Sequence, residues 1–199
     1  MPTGPGGLDS NGIWQFGEDD SEALASDLLN LGMGSVSDAF TNLAGVLQVV
    51  STTKTDTFTA SLAQDAPTDI TGLTAAITPS ATSSEVRVQA VISVGEPNSA
   101  GTPVVILKRG ATSIGVGDAA SNRVRATAGS VVDDSTGRNN IVVDFLDTPS
   151  STSEQTYSFK IMHTTDVTVT VYVNRSRSDT DVARSYRTIS TLTLSEVAG

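Results

Sequence analysis

The 199-residue chain carries 22 acidic against 12 basic side chains, a formal charge of −10, and this balance argues against nucleic acid as a partner, since binding phosphates takes Lys and Arg that displace its counterions. Its length and 38% hydrophobic content suit one well-buried domain with an accessory segment, and Ser and Thr, about a quarter of all residues, supply most of the polarity. Cysteine is absent, which excludes a disulfide framework and thiolate metal sites.

The opening Met1-Pro2-Thr3-Gly4-Pro5-Gly6-Gly7 lacks the basic and apolar regions of a signal peptide, so synthesis in the cytosol is expected. No apolar run approaches the length that spans a bilayer, and membrane insertion is not expected. Residues 1–18 read as an extended arm carrying Ile13-Trp14-Gln15-Phe16, and two large rings so close together are unlike the composition of a disordered tail. No Lys or Arg precedes Lys54, whereas Asp9, Glu18, Asp19, Asp20, Glu22, Asp27 and Asp38 all do. The segment is either a solvated tail or one that docks on a basic surface.

A helix signal follows. Asp19 can cap, Glu22 stands where a capping box places it, and Leu24, Leu28 and Leu31 repeat at helical spacing before Gly32 and Gly34 end the pattern. A second start at Ser35 leads into Val36, Phe40, Leu43 and Leu47, whose 4-3-4 spacing is that of a short coiled-coil seam. A stripe of that length is marginal alone. It is either an amphipathic helix on the following domain or a bundle among identical chains.

From about residue 46 the period becomes two. Val86, Val88, Ala90, Ile92 and Val94 alternate with polar residues, as do Tyr157, Phe159 and Ile161, and Val167, Val169, Val171 and Val173. Val104-Val105-Ile106-Leu107 is apolar throughout, the pattern of a strand buried on both faces. Shorter strands are predicted around 47–61, 70–78, 112–117, 141–147 and 187–197, with turns at 65–67, 96–98, 135–137 and 148–150. The fold class is therefore mainly β: an antiparallel, jelly-roll-like sandwich head over 50–199, preceded over 1–49 by an extended N-terminal arm and short helices.

Catalytic patterns are missing. His163 is the only histidine and no Gly-x-Ser-x-Gly turn exists, so His163 reads as structural. The glycine-rich Arg109–Gly117 lacks a phosphate loop's ending and reads as a hairpin or bulge. Asp144 with Asp147, or Asp179 with Asp181, has the residue types of glycoside hydrolysis, but such pairs are common in so acidic a chain. The loop Asp133–Asn140 offers oxygen ligands without the calcium-loop pattern. No metal, cofactor or catalytic residue is assigned, and the chain reads as a structural and binding protein.

The densest polar constellation joins the last two strands: Tyr172, Asn174, Arg175, Arg177, Asp179, Asp181, Arg184, Tyr186 and Arg187. Ion pairs within a long loop explain it, and so does a subunit or receptor contact, since Arg and Tyr are enriched at interface hot spots. Asn174-Arg175-Ser176 also matches a glycosylation acceptor, a match that means little without a secretory signal.

The block Leu8–Asp20, continued by Ser26–Gly32 and Ser35–Asp38, resembles the N-terminal segment of minor tail proteins of tailed phages, typically of actinobacterial hosts. Asp69–Leu73, Thr78–Ser80, Leu107–Gly110, Phe145–Pro149, Val171–Ser176 and Ser190–Val197 are similar to a recurrent phage fibre-tip domain. The resemblance implies a virion protein assembled in the host cytoplasm, a homotrimer attached to other virion proteins by its N-terminal segment, its β head projecting toward the host. Attachment falls to Ile13, Trp14, Phe16, Glu18, Asp19, Asp20, Leu24 and Leu28, and the trimer seam to Val36, Phe40, Leu43 and Leu47. A capsid decoration protein or head fibre, with a host surface glycan as a further partner, shares this plan.

Overall fold

The computed structural model describes residues 45–97, 102–131 and 137–199, together with two short strands, β1 (Gly7–Leu8) and β2 (Trp14–Gln15). The chain divides into two compact units, Met1–Gly45 and Val46–Gly199. In the first, β1 and β2 pair antiparallel with Leu8 opposite Trp14, which gives Trp14 an extended backbone. The helices expected over 19–31 and from 35 onward lie outside the described residues, as do Ile13, Phe16, Glu18, Asp19, Asp20, Leu24, Leu28, Val36, Phe40 and Leu43. Leu47, the fourth position of the helical spacing, is a strand residue.

The second unit comprises β3 (Val46–Lys54), β4 (Phe58–Leu62), β5 (Thr68–Ile77), β6 (Glu85–Gly95), β7 (Pro103–Arg109), β8 (Thr112–Ile114), β9 (Ala128–Gly129), β10 (Arg138–Asp147), β11 (Gln155–His163), β12 (Val169–Val173) and β13 (Ser190–Val197). One turn of 3-10 helix spans Ala183–Ser185. Strands β4, β12, β6 and β10 lie side by side in one sheet and β5, β11, β7 and β8 in the other. With chain order alternating between the sheets in this way, the unit is an antiparallel jelly roll. The first and last strands stand outside the roll: β3 pairs with β13, and β13 lies along β6 from Glu85 to Val91.

Period-two patterning places the core. Val86, Val88, Ile92 and Val94 of β6, Leu192 and Leu194 of β13, Ile141 of β10, and Tyr157, Phe159 and Ile161 of β11 face one another between the sheets, all 0–1% exposed. Each such side chain contributes about 1.5–3 kcal/mol by leaving water. The predicted strand over 47–61 is two strands, because the chain turns at 55–57 so that β3 can join β13 and β4 can join β12. At that corner Lys54, 2% exposed, bonds Asp56 at 2.8 Å. The glycine-rich stretch is a hairpin: Arg109 pairs with Thr112 and Gly110 takes a φ of 55°.

Each sheet carries an excursion that interrupts one of its strands. Strands β8 and β9 both lie along β7, opposite Leu107–Arg109 and Val104–Val105 respectively, and the chain between them leaves the sheet and returns. Strands β12 and β13 share the edge of β6 in the same way, with residues 174–189 between them. Both excursions cover the outside of the sandwich, and they do so with different chemistry.

Candidate functional site

The 174–189 excursion holds the polar constellation singled out above. It begins at Asn174, whose φ of 61° turns the chain out of β12; Asn and Asp tolerate this left-handed region better than most residues. The Asn174 amide is 0% exposed and donates to the carbonyls of Lys54 and Asp56, each at 2.9 Å, while its Oδ1 accepts the Ser190 hydroxyl at 2.7 Å. Its backbone N–H donates to Ser93, and the Ser93 N–H in turn donates to Ser190 Oγ at 3.0 Å. One side chain thus joins the ends of β12, β3 and β13 beside β6. The folded head leaves no room for a glycan on this amide, and Asn174 presents no surface to a partner.

Beyond Asn174 the chain crosses Gly95 so closely that an added Cβ there would sit 2.3 Å from the Arg175 carbonyl. Glycine at 95 is required by this approach. Asp179 lies between Arg175 (3.2 Å) and Arg187 (2.9 Å), and Arg177 reaches Glu96 at 3.0 Å. Arg175 also sits over the Tyr172 ring, 5.1 Å from its centroid, and the buried Tyr172 forms part of the loop's floor. Arg138 of β10 stacks on Tyr186 at 3.4 Å and donates to the Arg184 carbonyl. Among the nine sequence-predicted contact residues, Asp181, Arg184, Tyr186 and Arg187 are exposed, Arg175, Arg177 and Asp179 half-buried, and Tyr172 and Asn174 buried.

The loop walls one side of a depression of about 710 Å³ on the outer face of the sheet, lined by Thr55, Val91, Asn140, Arg187, Thr188, Ile189 and Thr191. A second hollow of about 270 Å³ shares Val91 and Thr191 and extends over Gln89, Val142, Asp144 and Thr193. The floor is set by register: Thr191, Val91 and Val142 form one row across β13, β6 and β10, and Thr193, Gln89 and Asp144 the next. Arg87 binds Asp144 through two hydrogen bonds, at 2.9 and 2.6 Å, and that hydrogen bonding holds the Asp144 carboxyl below the usual range. Val142 was hidden in the sequence within Ile141-Val142-Val143, where an apolar residue on the outward position was the available signal.

The remaining polar groups of interest are ties within the sandwich. Asp147 receives the Tyr157 hydroxyl and Arg109, both at 2.7 Å, and links β10 in one sheet to β7 and β11 in the other. Burial, then the bond to Asp147, pushes the Tyr157 hydroxyl up. Asp144 points outward and Asp147 inward, so the two form no carboxylate pair. His163 is 0% exposed; Thr165 N–H donates to its Nδ1, which places the ring proton on Nε2 for donation to Leu62 at 2.9 Å. Glu196, 1% exposed, accepts the Ser80 N–H and hydroxyl and the Gln48 amide. Burial opposes its charge, but the bonds from Ser80, Gln48 and Ser84 outweigh that effect and hold the carboxyl at about 2.

Among the described residues no cluster of His, Asp and Glu is arranged to hold a metal ion, and no helix is long and apolar enough to cross a membrane. Asp133 and Asp134 of the oxygen-rich loop lie outside the described residues, and Asn139 and Asn140 belong to β10.

The sequence matches no family model and no curated protein. Among solved structures the chain is similar to that of infectious bursal disease virus Gt strain, at 13% identity over 76% of this chain and 38% of that one, with a TM-score of 0.40. Infectious bursal virus derived T=1 particles match at 12% identity over 76% and 36%, with a TM-score of 0.41. The infectious bursal disease virus VP2 subviral particle matches at 12% over 76% and 37%, with a TM-score of 0.38. The chain spans less than two fifths of the length of each.

Proposed function

We propose that this chain is a structural protein of a virus particle, a trimeric minor tail protein or short tail fibre whose N-terminal segment attaches to the particle and whose jelly-roll head contributes to host attachment. The observation that carries the reading is the fate of the polar residues. Asp147, Tyr157, Asn174 and Glu196 are used as internal ties between strands, and the exposed polar groups of the 174–189 loop and the outer sheet face form a surface for contact rather than a reacting set. The sequence resemblance to phage tail proteins supports the same reading. A capsid decoration protein is the alternative that the resemblance leaves open.

Gold-labelled antibody against the head, applied to intact particles, tests it. Label on the tail supports the tail-fibre reading, label on the capsid supports decoration, and particles that lack the protein altogether overturn both. A chain starting at residue 33 is expected to fold but to be absent from particles, because it lacks Trp14 and Phe16, the large rings expected to anchor an interface.

A further inference from the structure

We propose that the outer face formed by β3, β13, β6 and β10 is covered by a second copy of this chain. The face carries Val49 at 59% exposure, Val91 at 38%, Val142 at 65% and Leu146 at 48%, with Ile189 at 54% on its border. On the sheet they fall in two register rows, Thr53-Thr191-Val91-Val142 and Val49-Ser195-Arg87-Leu146. Apolar side chains gathered on one sheet face mark an interaction surface.

The opposite sheet shows how this fold treats comparable residues. Val104, Ile106 and Met162 point outward there too, and Val116, Val124 and Ala126 of the chain's own excursion cover them. On the β6 sheet the 174–189 excursion covers only the end near Ser93 and Gly95. Strand β10 adds a free edge: it pairs with β6 over ten residues without a register shift, contains neither Pro nor Lys, and among the described residues forms no ladder on its other side. Uncovered edges of this kind are templates for pairing.

Charge selects the occupant. At a net charge of −10, copies of this chain repel one another over most of their surface. On this face Arg87 is matched by Asp144, and at its border Arg187 by Asp179, so the centre of the patch has no net charge to oppose a like patch and none to attract a strongly charged partner. Glu85 and Arg138, without an ion-pair partner among the described residues, stand at opposite ends of the face with opposite sign. Its Thr and Ser hydroxyls, Gln89 and Asn140 supply the polar complement of a subunit contact. The inference gives the oligomer of the preceding reading a named surface, and it requires self-association alone: particle labelling decides the one, the following experiment the other.

The chain has no cysteine, so Val142→Cys and, as a control away from the face, Val167→Cys each introduce a single thiol at an exposed position of the full-length protein. Maleimide labelling of V142C is expected to be at least about tenfold slower than that of V167C at micromolar concentration, the difference disappearing on dilution as the copies separate. Equal labelling at every concentration overturns the proposal. Light scattering on the same samples shows in that case whether the chain is a single copy of 20.5 kDa, with the face left for another molecule, or an oligomer held elsewhere.

Discussion

The two excursions solve the same problem with opposite materials. Residues between β8 and β9 cover their sheet with small apolar side chains, and Thr127 pins the return to β7 by donating its N–H to the Val105 carbonyl and accepting the Leu107 N–H on its hydroxyl oxygen. Residues 174–189 cover theirs with arginines, aspartates and a tyrosine, closed at the base by Asn174. An apolar cover spreads its stabilisation over many weak contacts. A polar cover concentrates it in a few groups that must all be paired, because a buried unpaired donor or acceptor costs more than a paired one contributes.

Asn174 is the place to break the second arrangement. Asn174→Ala strands the carbonyls of Lys54 and Asp56 and the hydroxyl of Ser190, and it is expected to lower stability by about 3–4 kcal/mol in urea unfolding. Ile106→Ala tests the first cover. It is expected to cost about 2–3 kcal/mol, with faster hydrogen exchange at the Thr127 amide as the excursion loosens. Arg187→Ala removes a half-exposed partner of Asp179 and is expected to change stability by less than about 1 kcal/mol, since Arg175 still holds that carboxylate. An effect of Arg187→Ala as large as that of Asn174→Ala would show that the ion pairs, not the amide, carry the loop.

Acid distinguishes a third kind of tie. Glu196 stays ionised in the folded chain down to about pH 2, whereas an unfolded glutamate takes up its proton near its ordinary value of about 4.3. The folded pKa is depressed, so the contribution of Glu196 is present above that ordinary value and is lost as pH falls toward 2. Denaturation measured from pH 6 to pH 2 is expected to show this decline, and Glu196→Gln to flatten it.

Much of the fold was legible because water makes it so. The alternation of Val86 to Val94 and of Tyr157 to Ile161 appears in the structure as β6 and β11, and the apolar run Val104–Leu107 is buried on both faces, one by the main core and one by the excursion. The corner at 55–57 was missed because Ser51–Thr59 is polar at almost every position and offers no break in period. Asn174 was read as a contact residue since it stands among arginines, and only its left-handed backbone and its distant partners at residues 54, 56 and 190 reveal a buried tie. The outer face escaped notice for a similar reason: Val91, Val142 and Ile189 are far apart in sequence and meet only through strand register.

The pairing of β3 with β13 has a mechanical consequence. Val46 lies opposite Val197 and Lys54 opposite Ser190, so the second unit begins and ends at one end of this strand pair, while Asn174 and the base of the 174–189 loop lie at the other. A nine-residue strand is about 30 Å long. Tension applied between Val46 and the loop therefore runs along β3, and the cross-strand hydrogen bonds, perpendicular to the strands, are loaded together in shear instead of opening one after another. A head tethered through Val46 and pulled by its far end resists with the whole ladder at once.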